Sequence, residues 1–455
     1  MMKQRTFHLN LAVLATGIMA FAGVLIETAM NVTFPTLLKQ FQIETSEVQW
    51  VTTIYLLMIA IIVPLSSYLI KRYSIRQLFT AAIVLFIVGV LLNSLPSGFA
   101  LLLFGRLLQG VATGISLPLM FNIILTKAPL ERRGLMIGLG TLTTSIAPAL
   151  GPTYGGLLTA SLGWRYIYLL LLPVLLVTAL LGLYAIPHEP TKSTGSINFV
   201  AASALAVFFS SFLISFSFIG RPLFWPLLML AGAALIYFRH FNRKNPLIQL
   251  TLFQNRLFTV SLFAFITFQM MLLGISFLLP NFVQEVTGLS ASKAGMMMFP
   301  GALTGALFAP LAGRLLDRIG AKKPILSGMI LALLGLGYLI WLLPFGKITG
   351  IICVHVLFMA GVGLSYSNLM SIGLSSLPVS ENADGNAIFT TLQQFSGAVS
   401  TAGAAVLLSF FQKSNGDFQQ GTTQGTLAGL WLFLGLLLVV TIAIWTVFHK
   451  ENSLK

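Results

Sequence analysis

The chain has 455 residues, of which 57% are hydrophobic and only 8% charged, and its mean hydropathy is +0.93. A soluble domain carries about 25% charged residues, so water is not the main solvent here. The net charge of +15 does not signal nucleic acid, because the basic residues sit in short loops between apolar runs and form no patch interleaved with aromatics.

Fourteen apolar segments follow one another along the chain, at about 9–37, 48–70, 77–95, 99–124, 134–158, 165–186, 197–219, 223–239, 256–284, 294–313, 324–343, 349–373, 386–411 and 425–448. A helix needs about 20 such residues to cross the hydrocarbon core of a bilayer. Lys3, Arg5 and the Ala20-Phe21-Ala22 stretch loosely resemble a cleaved signal peptide, but the apolar run continues to about Leu38 and predicts a first spanning helix. Only helices or closed barrels satisfy the backbone in lipid. The runs lack the period-two alternation of barrel strands, so the expected fold class is an all-α integral membrane protein.

An even number of spans puts both ends on one side. With the N-terminus inside, nineteen Lys and Arg residues fall in inside segments and six in outside ones, leaving Arg106 within the membrane; the positive-inside rule then places both termini in the cytoplasm. The acidic inside loop with Glu381 and Asp384 reads either as a solvated face or as a partner of neighbouring basic loops. The single Cys353 excludes a disulfide framework and reads as a small core residue.

A weak repeat relates Ser67-Tyr-Leu-Ile-Lys-Arg-Tyr-Ser-Ile-Arg76 to Gly313-Arg-Leu-Leu-Asp-Arg-Ile-Gly-Ala-Lys322. It predicts a six-helix half over residues 1–190, an inserted transmembrane hairpin over 191–245 and a second six-helix half over 246–455. Paired halves of this kind place a substrate site near the midplane between them. The hairpin carries no charge within its spans except Arg239 at the last position of the second, and is expected to contribute little to coupling.

Two charges lie deep in the spans, Glu27 and Arg106. At about 1.5 Å per residue, Glu27 lies about 16 Å from the outer end of the first span and Arg106 about 11 Å from that of the fourth. A charge at that depth costs at least about 2.5–3.5 kcal/mol, which a chain retains where the charge does work. Burial and a nearby cation act on a carboxyl's proton affinity in opposite directions, and their balance can bring titration near physiological pH. Glu27 is therefore the expected proton site and Arg106 its expected partner; the other reading is a static buried ion pair that fixes packing. Glu285, after Pro280-Asn-Phe-Val-Gln, is the second acid candidate, at the mouth of its span. Asn31, Tyr55, Gln269, Gln393 and Gln394 are polar groups in apolar spans, which either line a cavity or hydrogen-bond neighbouring helices. No carboxylate or histidine cluster suggests metal transport and no Walker A sequence suggests an ATPase.

Several motifs occur in order on the expected spans. They are Trp50-Val-Thr-Thr-Ile-Tyr55, Leu102-x-x-x-Arg106-x-x-Gln109-Gly110, Gly138 with Gly151-Pro152-x-x-Gly155-Gly156, Asn245-Pro-Leu-Ile-Gln-Leu-Thr-Leu252-Phe253-Gln-Asn255-Arg256, and Gly313-Arg314-Leu-Leu-Asp317-Arg318-Ile-Gly320-Ala-Lys322-Lys323. By these the chain resembles the major facilitator superfamily over almost its whole length, and within it the 14-span drug:proton antiporter family typified by EmrB and QacA. The resemblance implies two six-helix halves plus an inserted hairpin. It also implies alternating access and export of amphipathic, often cationic drugs or toxic compounds, driven by a proton gradient with no cofactor. A functional monomer in a bacterial cytoplasmic membrane is implied as well. A carrier of one specific metabolite on the same fold is the alternative; a channel or membrane enzyme would need a second ionisable cluster at one interface. The spacing of Pro148, Gly151, Pro152, Gly155 and Gly156 implies a kinked, closely packed gating helix. Asp317 with Arg314 and Arg318 implies a latch that holds in one state and releases in the other.

Three positions depart from the family pattern. Lys71 stands where the first loop has its acid. Ala147 replaces a glycine. In the first span Thr28, Asn31, Val32 and Pro35 match, but the acid's place holds Ile26 and the acid is one residue on, at Glu27. One residue is about 100° of helix rotation.

The charge bias makes a direct prediction. An impermeant thiol reagent should label a cysteine introduced at Ser97 from outside the cell, and one introduced at Lys192 only after permeabilisation; the reverse pattern would overturn the orientation.

Overall fold

A computed structural model of the chain describes residues 7–95, 98–129, 136, 147–148, 150–187, 198–243, 246–378 and 381–452. Among them every regular element is helical. In chain order they are α1 (Leu9–Phe41), α2 (Thr45–Leu65), α3 (Ile75–Ser94), α4 (Phe99–Lys127), α5 (150–161), α6 (Tyr166–Ala185), α7 (Phe199–Phe216), α8 (Phe224–Phe241), α9 (Arg256–Val286), α10 (Ala291–Ile319), α11 (Lys322–Leu342), α12 (Ile348–Ser375), α13 (Asn382–Ser414) and α14 (Phe418–Asn452). Among the described residues, thirteen helices are long and apolar enough to cross a membrane. The remaining expected span, 134–158, falls largely outside the described residues. Gly138, Arg132, Arg133, Ser97, Lys192, Lys244 and Asn245 lie outside them too, as do the side chains of Lys71 and Asp317.

The ends of these helices follow from local chemistry. Ser74 and Gln77 form a reciprocal cap at the start of α3. Asn198, Asn255 and Ser290 cap α7, α9 and α10 by accepting the N–H of Ala201, Phe258 and Lys293. Asn255 also donates to the Ser376 carbonyl at 2.8 Å, tying the start of α9 to the end of α12. Gly320 ends α10 with φ +78°, a conformation that disfavours any residue with a Cβ, which accounts for the glycine of its loop motif.

Two boundaries differ from the sequence expectation. The second span is interrupted at the end of α2, because Pro64 cannot donate to the ladder and the chain tightens from Ile62 into a 3-10 turn at Val63–Leu65 before resuming over Ser66–Arg72. The last helix starts at Phe418 rather than near residue 425. Thr422, Thr423 and Thr426 return their hydroxyls to carbonyls four residues back, so polar residues extend the helix without unmet groups. Cys353 is also corrected: it lies exposed on α12, not in a core.

The chain packs as two compact units. One comprises Met1–Met30, Trp50–Gly151 and Leu158–Leu247; the other comprises Asn31–Gln49, Pro152–Leu157 and Ile248–Lys455. In the first, α4 lies against α2 and α3, and α3 against α6. The hairpin α7–α8 joins α2 through a 2.9 Å hydrogen bond from the Trp50 indole to Ser217, and its base is closed by Asn198 donating to the Phe241 carbonyl. Its outer surface is apolar, with Met229 and Ile236 more than 70% exposed, as a lipid-facing element requires. In the second unit, α12 packs on α10 and α11, and α9 on α13 and α14. The last part of α1 belongs here: Asn31 donates to Ser276 at 3.4 Å, Gln284 donates to the Val32 carbonyl at 3.0 Å, and Phe34 meets Phe277 at 5.5 Å.

Helices in lipid gain little from hiding apolar surface, so close packing at small residues carries their association. Gly361 of α12 is such a contact: a Cβ there would run into the Ala332 nitrogen and the Gly328 carbonyl of α11, whereas one at Gly337 would meet nothing within 4 Å. Gly361→Ala should therefore lower the thermal midpoint in detergent by several degrees, in line with overpacking costs of about 1–3 kcal/mol. Gly337→Ala should leave it unchanged or raise it. Size-exclusion thermal melts of the two variants check this.

Candidate functional site

The first site grows from α4. Its glycines set the spacing of the neighbouring helices: a Cβ on Gly110 would fall 2.5 Å from the Tyr55 carbonyl oxygen, and one on Gly114 2.8 Å from Ile62 Cβ, so α2 lies directly against α4. Gly105 is covered by the Asn93 amide of α3. Arg106 lies between these contacts and is fully buried. Its Nε donates to the Val51 carbonyl at 2.8 Å and its Nη1 to Gln109 Oε1 at 2.9 Å. The guanidinium carbon stands 4.2 Å from the centre of the Tyr55 ring, which faces it with the negative side of its quadrupole. The Tyr55 hydroxyl lies 3.0 Å from Thr113 Oγ1.

Helix α1 completes the group. Gly23 faces the Tyr55 hydroxyl and Thr113, and any side chain there would collide with both. Glu27 stands one turn further along α1, on the same face as Gly23, and is 4% exposed. Tyr55 is within electrostatic reach of both Glu27 and Arg106, and these two are within reach of each other. Among the described residues they form no ion pair within 4.0 Å, since the guanidinium bonds are directed at Val51 and Gln109. The structure thus brings Glu27, Tyr55 and Arg106 into one buried cluster without a tight Glu27–Arg106 bridge. Ile26 beside Glu27 is fully buried, and Thr28 returns its hydroxyl to the Val24 carbonyl; a Cβ on Gly151 would overlap that hydroxyl.

A second polar group lies in the other unit. The Tyr366 hydroxyl donates to Gln269 Oε1 at 2.5 Å and accepts from Gln393 Nε2 at 2.6 Å. Phe265 stacks on the Tyr366 ring, with centroids 4.3 Å apart and planes within 7°. Gln394, the next residue on α13, is buried and its Oε1 has no partner among the described residues. Asn31 is engaged with Ser276 in the same unit. Glu285 lines a pocket of about 560 Å³ with Lys39, Gln42, Glu44, Gln412 and Lys413. An ion pair of 2.6 Å between Lys413 and Glu44 and a hydrogen bond from Thr45 to Gln412 close one side of that pocket.

The glycine–proline motif of α5 is a backbone seam. A Cβ on Gly156 would strike the Ala291 carbonyl of α10, one on Gly295 would strike the Pro152 carbonyl, and Thr153 donates to the Gly295 carbonyl at 3.3 Å. Gly155 is buried and Arg314 and Arg318 are exposed. Among the described residues no three His, Cys, Asp or Glu converge in a way that would hold a metal ion.

Sequence reading named Arg106, Tyr55 and Glu27 but assigned no role to Gln109 or Thr113, and it missed Tyr366, Gly295 and His355. Gln109 was within the quoted motif, at one turn from Arg106. Tyr366 had a signal, a tyrosine between two serines inside an apolar span. Gly295 and the buried His355, whose ring sits against Gly301, had none that distinguishes them from packing residues.

Comparison with known proteins agrees with this architecture. The "Lincomycin resistance protein LmrB" of Listeria monocytogenes is 34% identical over 418 residues, covering 90% of this chain and 88% of that protein. The "Multidrug resistance protein B homolog" of Mycobacterium tuberculosis is 27% identical, covering 90% and 78%. A crystal structure of a POT family transporter in complex with a thioalcohol-conjugated peptide superposes with a TM-score of 0.70 at 15% identity, over 97% of this chain and 96% of that one, which is a likeness of fold. Residues 16–401 match the Major Facilitator Superfamily. This chain is a multi-pass membrane protein that belongs to the Major Facilitator Superfamily, a family of transporters.

Proposed function

We propose that the protein exports amphipathic, often cationic drugs or toxic compounds in exchange for protons, by alternating access, as a member of the 14-span drug:proton antiporter family. The observation that carries this reading is the buried cluster of Glu27, Tyr55 and Arg106. A membrane helix keeps a deep carboxyl at substantial cost. Here the neighbouring guanidinium is held by other groups, on Val51 and Gln109, and does not clamp the carboxylate. Glu27 is thus free to gain and lose a proton, while Arg106 biases that exchange through space. The names of the relatives, for lincomycin and multidrug resistance, support the substrate class.

In this reading a proton entering from outside binds a Glu27 carboxylate oxygen, the neutral acid favours the inward-facing state, and release of that proton to the cytoplasm leaves the carboxylate and the site ready to take up substrate. Asp317, Arg314 and Arg318 latch the cytoplasmic side, and the α5 seam with Gly151, Pro152, Gly155 and Gly156 seals the other. Asn31, Tyr55, Gln269, Gln393 and Gln394 contribute to the substrate surface. The protein works as a monomer in the bacterial cytoplasmic membrane, with both termini inside, Glu285 as reserve acid and no cofactor beyond the proton gradient.

Carriage of one defined metabolite is the second reading. It is favoured by the fixed Gln269–Tyr366–Gln393 relay backed by Phe265, a preset hydrogen-bonding surface of the kind a single polar ligand uses.

Glu27→Gln is the central test, with purified protein in proteoliposomes and a cationic dye. Gln is nearly isosteric with the protonated acid, so folding and dye binding should survive. It cannot release a proton, so gradient-driven efflux should fall by about 10²-fold or more, the range for removing a proton-transferring side chain. Glu27→Asp should keep part of the activity. Drug-induced proton release at the normal level from the Glu27→Gln protein would move the proton to another group, with Glu285 first. Failure of every dye to be transported by the unmodified protein would favour the metabolite reading.

A further inference from the structure

Helices α7 and α8 leave a groove of about 550 Å³ between them, at the end where Asn198 closes the hairpin on the Phe241 carbonyl. Ala204 and Ala234 form its buried floor, since neither side chain is long enough to fill the space between the helices. Phe199 and Tyr237 wall the mouth, Val207 and Leu230 the inner end, and all four are more than 40% exposed. From Phe199 to Val207 the groove runs about 12 Å at about 1.5 Å per residue. That is most of one leaflet of a hydrocarbon core about 30 Å thick.

The mouth is basic. His240 lies three residues beyond Tyr237 on α8 and shares its face. Arg243 follows shortly after Phe241, whose carbonyl closes the base of the hairpin. Phe199 also meets the Tyr68 ring edge-on, with centroids 6.4 Å apart. Arg72 stands one turn beyond Tyr68 on the same face of the short helix Ser66–Arg72. Arg72, His240 and Arg243 are exposed, and among the described residues none of them is in an ion pair. The turn at the other end of the hairpin carries Arg221 alone.

Acids are scarce around this mouth. The sequence has no Asp or Glu between Glu189 and Glu285. The acids of the first unit are Glu27, deep in its span, and Glu131 and Glu189, which lie outside the described residues. An apolar trough one leaflet long, ending in uncompensated cationic side chains, complements a lipid tail beneath an anionic phosphate. A cationic amphiphile would meet like charge at the mouth, and a zwitterionic headgroup would bring its own cation there.

We propose that the groove between α7 and α8 seats one acyl chain of an anionic phospholipid, with its phosphate held among Arg72, His240 and Arg243. The lipid comes from the leaflet at the basic end, which the positive-inside rule places on the cytoplasmic side. Guanidinium groups suit this task, because they bind phosphate oxygens through paired N–H donors. Arg72 belongs to the helix that continues α2, whereas His240 and Arg243 belong to the hairpin side. The lipid therefore ties the hairpin to the second span at this end, as the Trp50–Ser217 hydrogen bond does at the other. The inference does not depend on what the protein transports.

Photolabelling of the purified full-length protein in phosphatidylcholine nanodiscs tests it. Trace phosphatidylglycerol or phosphatidylcholine is added, each with a diazirine near the end of one acyl chain, and the labelled peptides are quantified after irradiation. Peptides that hold Val207 or Leu230 should take up the phosphatidylglycerol probe at least about fivefold more than the phosphatidylcholine probe, the factor of one basic side chain at an anionic headgroup. Peptides with Leu334 and Val439, likewise exposed on α11 and α14, should label alike with the two probes. Combining Arg72→Gln with Arg243→Gln should bring the hairpin ratio down to that of these controls, and Arg221→Gln should leave it unchanged. Ser203→Trp, which fills the groove from an exposed position, should remove the excess as well. Equal ratios on the hairpin and the controls in the unmodified protein would overturn the proposal, as would an excess that survives the double substitution. Hairpin labelling that favours a cationic probe lipid with the same chains would assign the groove to cationic amphiphiles and overturn it too. If the double variant does not fold, Ser203→Trp and the headgroup ratio of the unmodified protein decide the question.

Discussion

A fully buried guanidinium governs the first unit of this protein. Arg106 has no exposure and lies on a helix that crosses the membrane, where an unsolvated charge costs several kcal/mol. The fold meets that cost with fixed partners: a backbone carbonyl at the start of α2, the Gln109 amide one turn along α4, and the face of Tyr55. These partners are within reach only because Gly105, Gly110 and Gly114 bring α3 and α2 against the backbone of α4. The motif around Arg106 is thus one device. Its glycines create the close approach, and the arginine then joins the helices that approach.

The same logic of small residues and backbone contact recurs elsewhere. α11 and α12 meet at Gly328 and Gly361, and α5 meets α10 at Gly156 and Gly295. Lipid tails are as apolar as leucine, so helices in a membrane associate through van der Waals contact and interhelical hydrogen bonds. Seams of this kind hold without side chains that interlock.

The polar side chains divide by what their neighbours demand. Thr28, Thr422, Thr423 and Thr426 return their hydroxyls to their own helix, so they are silent in a chemical sense. Asn31, Gln284 and Asn255 cross between helices and act as joints. Tyr55, Gln269, Tyr366 and Gln393 link to one another or to charged groups and form local networks. In a linear sequence all of these are polar residues in apolar runs. Only their partners distinguish a packing group from a working one.

The sequence by itself determined the class, the span positions, the family motifs and the two deep charges, because lipid imposes length and hydropathy on every crossing and penalises any exception. Charges in such a setting are conspicuous in the sequence, which is why Glu27 and Arg106 are legible there. The tertiary structure decided which atoms the charges contact. Arg106 turns its bonds to Val51 and Gln109 rather than to Glu27, with the α2 backbone held against α4 at Gly110 and Gly114. It also decided that Cys353 faces outward, that α14 begins at Phe418, and that Tyr366 and Gly295 belong to contacts no motif announced. Hydropathy fixes depth in a bilayer, but it is nearly blind to rotation about the helix axis. Which side chain faces which neighbour is set by packing between helices far apart in the chain, and that information enters only when the bundle assembles.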